Sequence, residues 1–229
     1  MSDALSYIEQ NLGRFRSELD DFLRIPSISA KSEHDADTRA SAEWLSAQLA
    51  DAGLESEVVD TPGHPIVLAE WRGAGPDAPT VLIYGHYDVQ PPEPLDLWDS
   101  PPFEPTVRDG RLYARGSADD KGQLYMHVKA LEACLADGGT LPINVVLVAE
   151  GEEEVGSPNL VPFVKANADR LACDIVLISD TGWFTETLPA LGFSLRGLAY
   201  FELHVHGASS DLHSGEFGGA VTNPANALA

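Results

Sequence analysis

The 229 residues carry 36 acidic against 14 basic side chains, a formal charge of −22, yet 44% are hydrophobic. A chain this apolar builds a core rather than an acidic disordered tail, while its acidic excess repels phosphate backbones and argues against nucleic acid as a partner. No apolar run reaches the roughly 20 residues that span a bilayer, and the opening MSDALSYIEQ lacks the basic-then-apolar pattern of a secretory signal. Cys134 and Cys173 form no C-x-x-C pair, so neither a disulfide framework nor a thiolate zinc site is indicated. The chain reads as a soluble, cytoplasmic protein of one domain or a domain and a half, with no membrane partner.

Ala4 to Arg24 places Leu5, Ile8, Leu12, Phe15, Leu19 and Phe22 three and four residues apart, an amphipathic helix stopped by Pro26. A second helix is predicted from about Thr38 to Ala52, ended by Gly53, with Leu45 and Leu49 on one side. Strand-like stretches follow at Glu55 to Val59 and Ile66 to Trp71. Three short β-branched runs come next: Thr80 to Tyr84, Ile143 to Ala149 and Asp174 to Ser179. Each is apolar on both faces, as a strand covered by helices on both sides should be. Helical stretches, Asp120 to Ala136 and Asn159 to Arg170, lie between them. The alternation predicts an α/β fold with a mostly parallel sheet flanked by helices. Gln90 to Pro105, rich in proline and acid, reads as a long surface loop.

After about Arg196 the pattern changes. Leu198 to His206 alternates apolar and polar residues and reads as the first strand of a second domain. Asn223 to Ala229 opens a helix with Pro224 at its first position. The expected domains are 1–195 and 196–229, the second truncated, so the sequence is expected to be a piece of a longer protein.

Ligands of open α/β sheets bind beyond the carboxyl ends of the strands. The three apolar runs are followed by Gly85-His86-Tyr87-Asp88, by Glu150-Gly151-Glu152-Glu153-Glu154 and by Asp180, so each delivers histidine or carboxylate to one edge. Arg115 to Gly122 adds Asp119 and Asp120 at a helix start, where free amides stabilise carboxylates. So many acids in one cleft repel one another unless cations intervene, and imidazole with carboxylate suits zinc or manganese, two of which, about 3.5–4 Å apart, can share a bridging carboxylate. In His86-x-Asp88, residues two apart in extended backbone point the same way, so Asp88 can accept a hydrogen bond from the imidazole nitrogen that is not on the metal. The Glu153–Glu154 pair suggests one metal ligand and one proton acceptor. Taken singly, each feature has an ordinary reading: a core histidine, a solvated acidic loop, a helix cap, a turn cap. Their convergence on one edge favours metal catalysis. No G-x-S-x-G elbow or G-x-x-x-x-G-K-[ST] loop is present, and His213-Ser214 has no evident triad. His34, His64 and His127 read as surface residues. His204 and His206 share one side of a strand with no carboxylate pattern nearby, and read as structural.

The stretches YGHYDVQP (Tyr84 to Pro91), ARGSADDKG (Ala114 to Gly122), EGEEEVGS (Glu150 to Ser157), LISD (Leu177 to Asp180) and DLHSGEFGG (Asp211 to Gly219) together resemble the M20 metallopeptidases, most nearly the cytosolic dipeptidase and carnosine dipeptidase branch. The resemblance implies a zinc-exopeptidase-like catalytic domain followed by the start of an α+β lid and dimerisation domain. It implies two divalent ions, zinc with manganese or cobalt as alternatives. One is held by His86 and Asp180, Asp119 bridges the pair, Glu154 holds the second, Glu153 is the general base and Asp88 orients His86. His213 resembles a lid histidine that reaches across a homodimer to the substrate carbonyl. The implied reaction is hydrolysis of dipeptides or similar small amides. The alternatives are another amide hydrolase of the same family (an aminoacylase, a desuccinylase or a carboxypeptidase), a non-catalytic metal-binding module, or an acidic structural domain. The family's second zinc also takes a histidine from beyond the lid, which this sequence does not supply, so the chain alone is expected to close one site poorly and to be inactive.

Overall fold

Pro26 sets the first boundary. In the computed structural model, which describes residues 2–136, 138–194 and 196–229, helix α1 runs over Ser2–Arg24 and stops before the residue whose ring cannot continue it. The carbonyls left open there are capped from elsewhere: the buried Lys121 ammonium donates to Ile25 O at 2.7 Å and Phe22 O at 3.0 Å, 4.7 Å from the Phe22 ring centre. Burial pushes this amine down to about 7. The buried face of α1 carries Ala4, Phe15 and Phe22, whereas Leu5 and Leu12 of the predicted stripe are exposed. Those two leucines lie roughly 80–100° around the helix from Phe22, at about 100° per residue, and so fall at the edge of the contact. Helix α2, Asp35–Asp51, buries Thr38, Ser41, Ala42, Leu45 and Leu49 and is followed by Gly53 at φ +98.

Strands β1 (Glu55–Val59), β2 (Ile66–Trp71) and β3 (Thr80–His86) follow, then a small hairpin, β4 (Thr106–Arg108) and β5 (Arg111–Tyr113). Helix α3 spans Lys121–Ala136, within a residue of expectation, so Lys121 ties its start to the end of α1. Strand β6 (Asn144–Glu150), helix α4 (Leu160–Ala166) and strand β7 (Ile175–Ile178) complete the first unit. The main sheet has the order β1-β2-β6-β3-β7. The three apolar runs are its parallel strands, β6-β3-β7, and β2 runs antiparallel to both β6 and β1.

All seven residues of β6 are buried. Val145, Leu147 and Ala149 pack with Phe22, Leu45, Leu124 and Val128 on the face covered by α1, α2 and α3, while Val146 and Val148 pack with Phe163 and Leu171 on the other. Both faces of a central parallel strand are therefore dry, which is why its sequence is continuously apolar. β7 differs. It pairs with β3 at the sheet edge, and Ile175, Val176 and Ile178 are more than half exposed. The expectation that helices cover this strand on both sides is not met among the described residues.

The chain divides into two compact units, one through Ala190 and one over Leu191–Ala229; the domain boundary expected after residue 195 involves Leu195, outside the described residues. Leu198 to His206 forms no strand. An isolated strand leaves its backbone groups without a ladder partner, and no described segment pairs with this one. Helices α5 (Ser214–Phe217) and α6 (Pro224–Leu228) lie in the second unit, α6 opening on Pro224 with Asn223 Oδ1 accepting from Ala225 N at 2.9 Å. No helix among the described residues is long and apolar enough to cross a membrane.

The sheet centre sets a stability expectation. Leu147→Ala empties a fully buried site in the middle of β6 and is expected to cost about 2–5 kcal/mol, read from the shift in urea midpoint.

Candidate metal centre

The register brings the ends of β3, β6 and β7 to one edge: His86 pairs with Glu150, and Tyr84 with Ile178. Asp88 follows β3, a short 3-10 turn over Glu153–Val155 follows β6, Asp180 follows β7, and Asp119 and Asp120 immediately precede α3. Gly85 is what lets the start of α3 sit this close to β3, because a Cβ there would lie 2.6 Å from Asp120 Oδ2 and 3.0 Å from Leu124 Cδ1.

His86 is wholly buried and addressed from both sides. Its Nδ1 lies 3.1 Å from Asp88 O and 3.3 Å from Asp88 Oδ1. Its Nε2 lies 3.1 Å from Asp119 Oδ1 and 3.6 Å from Asp180 Oδ2. With Asp88 accepting at Nδ1, a proton stays there, and Nε2 is the nitrogen that would give up its proton to offer a lone pair to a cation on the open side. The side chains gather into two sets of potential donors, His86–Asp119–Asp180 and His86–Glu153–Glu154, each with its donor atoms within 4.8 Å of one another. The sets meet at His86. His213 lies in the second unit, where its Nδ1 accepts from Gly215 N at 3.0 Å at the start of α5.

The acidic run after β6 divides into two roles. Glu150 and Glu152 are buried and satisfied, Glu150 by Tyr84 Oη (2.5 Å) and Ser157 Oγ (2.8 Å), Glu152 by Asn159 Nδ2 (2.7 Å). Glu153 and Glu154 are half-buried and belong to the donor sets. Gln90 steadies Glu154, donating from its amide N at 3.2 Å and its Nε2 at 2.8 Å. The solvated-loop reading of this stretch does not hold.

The electrostatics fit a bound cation. Burial raises the Glu153 carboxyl, opposed by His86 and reinforced by Glu154, Asp180 and Asp88. Burial also raises Glu154, opposed by the Gln90 bond and reinforced by Asp119. Burial pushes Asp120 up to about 7, with Asp180 and Asp119 adding to it against the His86 amide and ring, and Asp120 Oδ1 is buried with no hydrogen-bond partner. Burial alone would lower His86, but its bond to Asp88 and the charges of Asp88, Asp120 and Glu153 raise it to about 10. One imidazole among this many carboxylates is the donor chemistry of zinc or manganese.

Sequence reasoning missed several partners. His64 and His127, expected at the surface, are braces: His64 Nε2 contacts Ser29 O at 3.2 Å, and the half-buried His127 Nε2 contacts Ser179 Oγ at 2.7 Å, beside Asp180. Burial lowers the His127 pKa. His204, expected to lack a carboxylate, lies 3.0 Å from Glu202. Ser29, Tyr84 and Lys121 carried no local signal, since each acts on a residue more than sixty positions away or, for Ser29, fifty-nine.

A pH dependence follows. A carboxyl raised in the folded state gives stability that is present below its unfolded pKa and lost as pH rises through its folded one. Asp120, Glu153 and Glu154 all act in this sense, between about pH 4 and pH 7 for Asp120. Glu18 and Glu132, lowered in the folded state, act oppositely but only below the ordinary carboxyl range, while the buried bases His127 and Lys121, also lowered, offset part of the trend near neutral pH. Chelator-treated protein is therefore expected to lose melting temperature from pH 5 to pH 7.5, and Asp120→Asn to flatten that slope. A flat wild-type profile would contradict this account of the centre.

Comparison with known proteins identifies the family. Residues 82–216 match the model of peptidase family M20/M25/M40. A Cys-Gly metallodipeptidase of Schizosaccharomyces pombe is 37% identical over 95% of this chain and 48% of its own length. A human Beta-Ala-His dipeptidase is 36% identical over 94% of this chain and 41% of its own. The solved structure of the dipeptidase Dug1p from Saccharomyces cerevisiae superposes with a TM-score of 0.74 at 31% identity, covering 99% of this chain and 50% of that one. The chain thus spans about half the length of the curated relatives it matches. On the sequence match, the fold and the sheet-edge geometry together, the chain belongs to peptidase family M20/M25/M40.

Proposed function

We propose that this chain is part of a metal-dependent hydrolase that cleaves the peptide bond of dipeptides or similar small amides. The observation that carries this reading is the meeting of two histidine–carboxylate sets at His86, with Asp119 and Asp180 on its Nε2. The relatives named Cys-Gly and Beta-Ala-His dipeptidases support the substrate class.

In this reading His86, Asp119 and Asp180 would hold one divalent ion, and Glu154 together with Asp119 would hold the second. Zinc is the proposed metal, with manganese and cobalt also suited to these donors. When bound, such ions acidify water and polarise a carbonyl oxygen. Asp88 keeps the proton on His86 Nδ1. Glu153, held up in pKa by burial and by neighbouring acids, accepts a proton from the attacking water and returns it to the leaving amine. His213 contacts the substrate carbonyl oxygen, supplied across a homodimer formed by the lid. Residues 1–195 are proposed as the catalytic part and 196–229 as the start of that lid. Leu198, Tyr200, Phe201 and Leu203 are largely exposed in the second unit, which supports their burial by further chain or by a partner copy. The free, exposed thiols of Cys134 and Cys173 support a reducing, cytoplasmic compartment.

The test is Glu153→Gln in the full-length protein, assayed on Cys-Gly, β-Ala-His and N-acyl amino acids with zinc, manganese or cobalt. Turnover is expected to fall about 10²–10⁴-fold with metal content unchanged. Full activity in the variant would remove Glu153 from the role. Metal retention by the wild type without turnover of any substrate would favour a binding module.

A further inference from the structure

The Asp88 carboxylate is wholly buried and takes four donors. His86 Nδ1 lies 3.3 Å and Glu153 N 3.3 Å from Oδ1, while Glu154 N lies 3.1 Å and Ser29 Oγ 2.6 Å from Oδ2. The three longer contacts come from residues that themselves form the donor sets. The shortest comes from a segment fifty-nine residues away that contributes no donor to either set. At 2.6 Å it is a charge-assisted O–H to carboxylate bond, roughly twice the strength of a neutral one.

The segment carrying Ser29 is fixed independently. Ile28 bridges Val89, Ser27 O accepts from Val89 N at 2.9 Å, Ser27 Oγ donates to Tyr87 O at 2.7 Å, and His64 Nε2 meets Ser29 O at 3.2 Å. Since a carbonyl only accepts, His64 carries its proton on Nε2. The hydroxyl is therefore aimed by a rigid strap on both sides of Asp88 rather than by the groups Asp88 must orient.

We propose that Ser29 is a positioning residue of the metal centre: its hydroxyl fixes the Asp88 carboxylate, and through it both the His86 ring and the Glu153–Glu154 turn. This rests on the reading of the sheet edge as a divalent-metal centre. Without the hydroxyl, Asp88 keeps only the three longer contacts, all to residues it must itself orient, and both donor sets loosen at once because His86 belongs to each.

The test compares wild type, Ser29→Ala and Ser29→Thr by titrating chelator-treated protein with Co(II), followed by its visible absorption, and by amide hydrogen exchange of the metal-free protein. Ser29→Ala is expected to weaken Co(II) binding about 10–100-fold. It is also expected to speed exchange at the Glu153 and Glu154 amides while leaving Val146 to Val148 unchanged. Ser29→Thr, which keeps the hydroxyl, should restore both. Wild-type affinity and exchange in Ser29→Ala would overturn the role, as would faster exchange spread evenly through β6, the mark of general destabilisation. Failure of the wild type itself to take up Co(II) would overturn the centre and this role together.

Discussion

Negative charge crowded around a single buried imidazole is the constraint from which the rest follows. Asp88, Asp119, Asp120, Asp180, Glu153 and Glu154 all press on His86 or on one another. In a pocket with reduced screening, such a set either takes up protons or takes up cations. The fold contributes the crowding: three parallel strands end together, and the start of α3 is pinned over β3 by a glycine that leaves room for Asp120 and by a lysine buried against the end of α1.

That pinning explains why the stretch from Arg115 to Gly122 is so constrained. Asp119 faces the donor cluster, Asp120 turns inward to the His86 amide at 3.2 Å, and Lys121 reaches away to the α1 carbonyls. Gly122 follows because a Cβ there would lie 2.2 Å from Ser117 O. Three consecutive charged residues thus point to three different places, and each is held by something other than its neighbour.

Much of this was legible in the sequence because strand ends are a local signal. An apolar run followed by His86, Glu153–Glu154 or Asp180 says where those side chains emerge, and adjacency of the runs in a parallel sheet brings them together. The braces were not legible. Ser29, His64 and His127 are ordinary polar residues until the fold sets them beside Asp88, Ser29 and Ser179. The stripe of α1 differs for a related reason: periodicity gives a face, but the part of it that packs against α3 and the rest of the core holds Phe15 and Phe22 and leaves Leu5 and Leu12 out. Coverage of β7 and pairing of Leu198 to His206 depend on neighbours that composition and spacing cannot place.

The open side of β7 has a consequence for handling the protein. Among the described residues nothing pairs the outer edge of β7, and its four apolar residues in a row form a template to which the same edge of another molecule can add its own strand. What opposes such stacking is the chain's charge of −22, which keeps copies apart at long range. That protection shrinks to roughly 8 Å at physiological ionic strength, so concentrated salt, often added to keep proteins in solution, here removes the barrier to cross-molecular pairing.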